Sequence, residues 1–234
     1  MTTKLESEIP RHLGIIVDGN RRWAKRHGIP VYEGHLAGRN TLLEIMPSFF
    51  DHGVEFVTLY LFSTENWSRT RDEVRRLINV IMRVISEDLH IFHELDIRLR
   101  VLGAPDARLS KKIMATIKNA EEVTLDHKRG TIAVCFNYGG QQEIADAVKK
   151  IVNDGVKPED ITVELISQNL YAPDIPSIDM VVRTSGEQRL SNFMLWRAAY
   201  SELMFIKKSW PDMTKDDVTD ILNEYNKRHR RFGG

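Results

Sequence analysis

GIIVDGNRRWAKRHG, residues 14–28, sets an apolar run, an acid, a glycine and a string of cations end to end. The apolar part reads as the end of a buried strand, and the turn at Asp18 and Gly19 leads into a helix starting near Asn20. The same pattern recurs along the chain. HLGIIV, EFVTLYLFS, DIRLRVLG, TIAVCFNY and IDMVVRTS read as strands. The middle ones are too apolar for a sheet with one face in water. Amphipathic segments separate them. In the clearest, over 71–94, Val74, Leu77, Ile78, Ile81, Met82, Ile85, Leu89 and Phe92 recur at three- and four-residue steps, as on one face of a helix. Others span 35–53, where Pro47 should kink or break the helix, and 110–126, 141–153 and 214–227. Strands alternating with helices of this length imply an α/β fold, with a central mostly parallel β-sheet flanked by helices.

With 234 residues and no repeat, low-complexity tract or long linker, the chain reads as a single domain over 1–234. Lys plus Arg equals Asp plus Glu at 33 each, so no nucleic-acid-binding surface is expected, and any phosphate recognition must come from local clusters. The single cysteine, Cys135, rules out an internal disulfide and fits a reducing cytoplasm; in TIAVCFNY it reads as a core hydrophobe. The N-terminus lacks an apolar signal region, and no run approaches the roughly 18 apolar residues of a membrane span. The expected location is cytoplasmic, at most peripheral to a membrane.

In parallel sheets ligands bind beyond the carboxyl ends of the strands. VDGNRR, FSTENWSR, FNYGG and RTSGEQR follow four of these strands, so their polar residues should meet at one rim. Asp18 alone reads equally as a helix N-cap. Its neighbours favour a phosphate site: Gly19 permits close approach, Asn20 to Trp23 would offer helix-start N–H groups, and Arg21 and Arg22 add charge. An aspartate beside such a site calls for a bridging cation, and Mg2+ binds through one or two carboxylates plus phosphate oxygens. Arg183, Arg189 and Ser191 form a second anion site. Two phosphate sites imply two phosphorylated substrates. Between them lie Ser63, Asn66, Trp67 and Arg69, with Glu65 placed to cap the following turn. His35, flanked by glycines, reads either as a packed histidine or as a phosphate donor or proton shuttle.

HLGIIVDGNRRWAKRHG with EGHLAG, LYLFSTENWSR, VVRTSGEQRLSNFMLW, AYSELMF with WPD, and the terminal RRFGG resemble, in order and spacing, the cis-prenyltransferase family typified by undecaprenyl diphosphate synthase. The resemblance implies a homodimeric enzyme that adds isopentenyl diphosphate to an allylic diphosphate, with an apolar tunnel for the product. It implies Asp18 and Glu202 as magnesium-associated carboxylates, and Gly19, Asn20, Arg22 and His35 at the allylic diphosphate, Asn20 also influencing proton removal. Ser63, Glu65, Asn66, Trp67 and Arg69 match a loop that orders over the substrates. Arg183, Arg189 and Ser191 match the isopentenyl diphosphate site. The tail over 228–234, through Arg231, Phe232 and Gly233, matches an Arg-x-Gly segment that reaches the partner subunit. The lipid product implies peripheral membrane contact.

The chain departs from the family in two places. Val31 stands where the family often has an arginine for the allylic diphosphate. Leu61, on the tunnel wall with Ile81 and Ile85, stands where long-chain enzymes commonly have a small residue, and implies a short or medium product. Two other readings remain: an enzyme of this fold joining two allylic units head to middle, favoured by Val31, and a non-catalytic partner subunit, disfavoured by the intact site residues.

Overall fold

Each apolar run read as a strand is one. In the computed structural model, which describes residues 9–104, 106 and 108–228, β1 (His12–Ile16), β2 (Phe56–Ser63), β3 (Ile97–Leu102), β4 (Gly130–Tyr138) and β5 (Met180–Arg183) join a short edge strand, β6 (Glu202–Phe205). They form one sheet of order β3-β4-β2-β1-β5-β6, and every pair is parallel. From β1 the chain crosses to β2 on one side, and β5 later joins β1 on the other. That reversal opens a crevice at the carboxyl ends of β1 and β5.

Both faces of a parallel sheet need cover. The larger core packs Leu13, Ile15, Val57 and Leu59 of the sheet with Leu42 and Phe49 of α2 (Val31–Asp51), Ile81 and Ile85 of α3 (Arg71–Ser86), Ile117 of α5 (Lys111–Val123) and Ile221 of α8 (Lys215–Asn226). On the opposite face Tyr60, Cys135, Tyr138, Val181 and Phe193 form a second cluster. Cys135 is fully buried there and burial pushes its thiol pKa up, so it is the core hydrophobe expected. Among the described residues no helix is long and apolar enough to cross a membrane.

Three local features differ from expectation. Pro47 lies inside α2 without ending it. A mid-helix proline costs about 3 kcal/mol, and burying Leu42, Ile45, Met46, Phe49 and Phe50, each worth ~1.5–3 kcal/mol, more than offsets that. The helix read over 71–94 is two: α3 stops at Ser86, and α4 (Leu89–Glu94) restarts after Asp88, whose carboxylate is held by Arg39. The third feature lies in β2. Tyr60 pairs with Cys135 and Phe62 with Phe136, leaving Leu61 as an extra residue in a bulge. A bulge re-aims the side chain it carries. β6 and α7 (Val163–Asn169) were not anticipated; β6 has only four residues.

Candidate active site

Beyond β1 the backbone turns at Gly19, which adopts φ 105° and is itself the N-cap of α1 (Asn20–Arg26). A Cβ there would lie 2.8 Å from Ser185 Oγ, so both conformation and space require glycine. Asp18 is therefore not the helix cap. One carboxylate oxygen accepts the Gly19 N–H at 2.7 Å; the other accepts Arg183 Nη2 at 3.0 Å, with Arg22 Nη2 at 3.4 Å. Thr184 locks this corner, its hydroxyl donating to the Asp18 carbonyl at 2.7 Å and accepting the Asp18 N–H at 2.9 Å.

Arg183 closes the crevice from β5. Its Nη1 donates to the Arg189 carbonyl at 2.5 Å and to Ser191 Oγ at 2.7 Å. The following loop holds Ser185, Gly186, Ser191 and Asn192 at positive φ. Such backbone strain clusters at ligand-binding sites. The two anion clusters expected from sequence are joined: Glu187 takes Arg22 on one oxygen and Arg189, at 2.5 Å, on the other. Hydrogen bonds from Arg22 and Arg189 hold the Glu187 carboxyl below the usual range. Glu73 plays the same part at the other wall, pairing with Arg21 at 3.4 Å and Arg69 at 3.2 Å.

His35, on the first turns of α2, is buried, and its Nε2 has no partner among the described residues. Burial, then the charges of Arg69 and Arg21, lower its pKa to about 4, so the ring is neutral at pH 7. Asn20 Oδ1 and Arg183 Nε are likewise buried without a partner. Gly38 leaves the space for that amide, since a Cβ there would lie 2.6 Å from Asn20 Oδ1. Unsatisfied buried polar atoms are rare and costly, and here three meet on one crevice.

These groups surround the mouth of a cavity of about 1220 Å3. Asp18, Gly19, Asn20, Arg21, Arg22, His35, Ser63, Glu65, Asn66, Arg69, Arg183, Arg189 and Ser191 all line it. Leu61 in its bulge, Leu42, Leu77, Val80, Ile81 and Val84 form its apolar wall. Val31 adds an apolar side chain at the wall where a cation was expected.

Other residues proposed from sequence stand outside this wall or are held by protein partners. Ile85 is wholly buried in the core and does not line the cavity. The Trp23 N–H is used within the helix, donating to the Gly19 carbonyl at 2.8 Å, and its indole turns to Asp212. Trp67 donates to Asn137 Oδ1 at 2.7 Å and packs edge-on against Phe62, also outside the cavity wall. Asn66 accepts the Ser63 N–H at 3.0 Å, completing a capping box. Glu65 is held by Asn192 at 3.1 Å; burial pushes its pKa up, but the hydrogen bonds, that of Asn192 first, outweigh this and keep it below the usual range. Glu202 is paired with Met180 at the start of β6 and binds Arg228 at 3.1 Å. Met180 is level with Leu13, five residues before Asp18, so within one chain the two acids are about 16 Å apart along the strands. Within one chain they stand too far apart to ligate a single ion, and the described residues contain no cluster of three metal-ligating side chains. Arg231, Phe232 and Gly233 fall outside the described residues.

Sequence reasoning missed Thr184, Glu187, Asn192 and Arg39. The first three lie in or beside RTSGEQRLSN, where an acid between two arginines was a readable sign of shared pairing.

A parallel sheet here carries a cation-rimmed crevice opening onto an apolar cavity, an arrangement suited to molecules with an anionic head and an apolar body. Residues 16–233 match the profile of the family described as "Putative undecaprenyl diphosphate synthase", and the chain belongs to that family. The isoprenyl transferase of Thermotoga maritima is 44% identical over 229 residues, 97% of each chain. The trans,polycis-polyprenyl diphosphate synthase ((2Z,6E)-farnesyl diphosphate specific) of Thermobifida fusca is 41% identical over 230 residues, 97% of this chain and 81% of that one. Lavandulyl diphosphate synthase from Lavandula x intermedia, solved in complex with dimethylallyl diphosphate, superposes with a TM-score of 0.92 at 32% identity, over 97% of this chain and 99% of that one. The chain is a prenyltransferase, of a family that carries out cis-prenyl transfer.

Proposed function

We propose that this enzyme condenses isopentenyl diphosphate with an allylic diphosphate, releases diphosphate, and stops at a short or medium cis-polyprenyl product. The carrying observation is one cavity whose unsatisfied polar mouth continues into an apolar wall. Arg22, with Asn20 and neutral His35, receives the allylic diphosphate; Arg183, Arg189 and Ser191 receive that of the isopentenyl unit. Breaking the allylic carbon–oxygen bond builds charge on the departing diphosphate, and cations already fixed by Asp18, Glu73 and Glu187 stabilise it without reorganising. The isopentenyl double bond, held beside the allylic carbon, then forms the new carbon–carbon bond. The proton lost afterwards is taken by the released diphosphate, the base the reaction itself supplies, with the unpartnered Asn20 Oδ1 beside its path.

The donor chemistry fits Mg2+: Asp18 offers a part-exposed carboxylate at the crevice, and the substrate's phosphate oxygens supply further hard donors. Bound there, the ion would neutralise the leaving diphosphate. We further propose a homodimer in which the 228–234 tail serves the partner's site; β6 is an edge strand with Leu203 exposed. A second reading, joining two allylic units head to middle, is favoured by Val31 and by the fit to lavandulyl diphosphate synthase.

The test is incubation of parent and Leu61→Ala with Mg2+, labelled isopentenyl diphosphate and dimethylallyl, geranyl, farnesyl or geranylgeranyl diphosphate. A short cis ladder from the parent and a longer one from Leu61→Ala are expected. A long parental product, or no lengthening in the variant, removes the Leu61 explanation. Product from dimethylallyl diphosphate alone would establish the head-to-middle reading instead.

A further inference from the structure

One charged group on the cavity wall has no part in diphosphate binding. Arg39 follows His35 by one helical turn on α2 and precedes Leu42 on the same face. Its guanidinium grips Asp88 at two points, Nε to Oδ2 at 2.8 Å and Nη2 to Oδ1, while Nη1 donates to Asn40 Oδ1 at 3.2 Å. The Asp88 side chain is 5% exposed and that of Arg39 20%. Asp88 sits where the helix breaks between α3 and α4, one turn past Val84, the last α3 residue on the cavity wall. Leu77, Val80, Ile81 and Val84 thus form an apolar track that starts near Arg69 and ends at an ion pair bridging α2 to the end of α3.

We infer that the Arg39–Asp88 pair is a product-length stop, an inference that rests on the prenyl-transfer reading of this cavity. An isoprenoid chain growing along the α3 track gains by burying methyl and methylene groups against leucine, isoleucine and valine. Past Val84 it meets a guanidinium whose charge is neutralised only while Asp88 remains in place. Further growth must strip water from that pair or separate it, and an uncompensated buried charge is far costlier than another buried isoprene unit is favourable. Leu61 narrows the cavity from the sheet, and Arg39 sets a charge on its helix side.

The test replaces both charges together, Arg39→Met with Asp88→Asn, so that neither is left unpaired, and measures product length beside the parent with the same primer. Products longer than the parent's by at least one isoprene unit are expected, with the melting temperature recording that the variant folds. Arg39→Gln with Asp88→Asn, which keeps a neutral hydrogen bond between the two positions, is measured alongside and should also lengthen the product. Unchanged length in a folded variant overturns the stop while leaving prenyl transfer intact. No incorporation by the parent with any primer overturns the underlying reading, and the stop with it.

Discussion

Two arginine–carboxylate pairs, in different parts of the molecule, show what separates a structural ion pair from a working one. Arg197 and Glu143 are 4% and 0% exposed, and their groups are satisfied: Glu143 takes Arg197 at 2.8 Å, the Tyr138 hydroxyl at 2.5 Å and the Tyr171 N–H at 3.1 Å, while Arg197 also donates to the carbonyls of Tyr171, Ala172 and Ile175. Arg183 and Asp18 form the same kind of pair at 3.0 Å, yet Arg183 Nε has no partner among the described residues and the Asp18 side chain is 31% exposed. The first pair has no capacity left for a ligand. The second is fixed in place with binding capacity to spare.

The contrast extends to two histidines. Burial above all lowers both His12 and His35 to a pKa of about 4. His12 has both ring nitrogens engaged, by the Pro176 carbonyl at 2.9 Å and Thr58 Oγ1 at 2.7 Å. His35 Nε2, on the crevice, has no partner among the described residues. A low pKa alone therefore does not mark function; the missing partner does.

The largest expected effect comes from exchanging roles between the pairs. Asp18→Ala should cut turnover by about 10²–10³-fold or more, as loss of a group preorganised for transition-state charge does, with the protein still folded and its midpoint lowered less than by Arg197→Met, because the Asp18 side of the pair is open to water. Arg197→Met should do the reverse, lowering stability by ~3–5 kcal/mol because Glu143 is left charged and buried. Chemical denaturation beside initial rates checks both, and a destabilised Asp18→Ala with parental rate per folded molecule would make Asp18 structural. The histidines give a smaller effect. Each binds its proton less readily folded than unfolded, so between about pH 6.5 and 4 the unfolded chain carries more protons and stability falls as pH falls, by up to roughly 3 kcal/mol per histidine. Urea midpoints across that range should flatten in His35→Gln. In an NMR titration, adding diphosphate should raise the pKa of His35 and leave that of His12 in place; equal movement would erase the distinction.

Much of this was legible in sequence because strands buried on both faces leave long apolar runs, and polar loops after them mark one rim. Five strands and the mouth residues from Asp18 to Ser191 were readable on that ground. Spacing could not show which end of β6 Glu202 occupies, since a four-residue edge strand gives too little pattern for register. Nor could periodicity separate Ile81, on the cavity, from Ile85, one turn further and in the core. Leu61 faces the cavity through a bulge that depends on its pairing with β4. The carboxylate of Asp88, at the break between α3 and α4, is held by Arg39, 49 residues earlier. Trp67 is held by Asn137 from another strand. Each of these is a long-range contact that overrides a local rule.

The central claim is that the unsatisfied mouth around Asp18, Asn20, His35 and Arg183 is a diphosphate site. Titration calorimetry with a non-ionisable thio-analogue of an allylic diphosphate, with and without Mg2+, tests it most directly. Saturable binding strengthened by Mg2+ in the parent, and a loss of that strengthening in Asp18→Ala while its fold persists, is the predicted result. No binding by the folded parent, or equal Mg2+-dependent binding by both proteins, would contradict it.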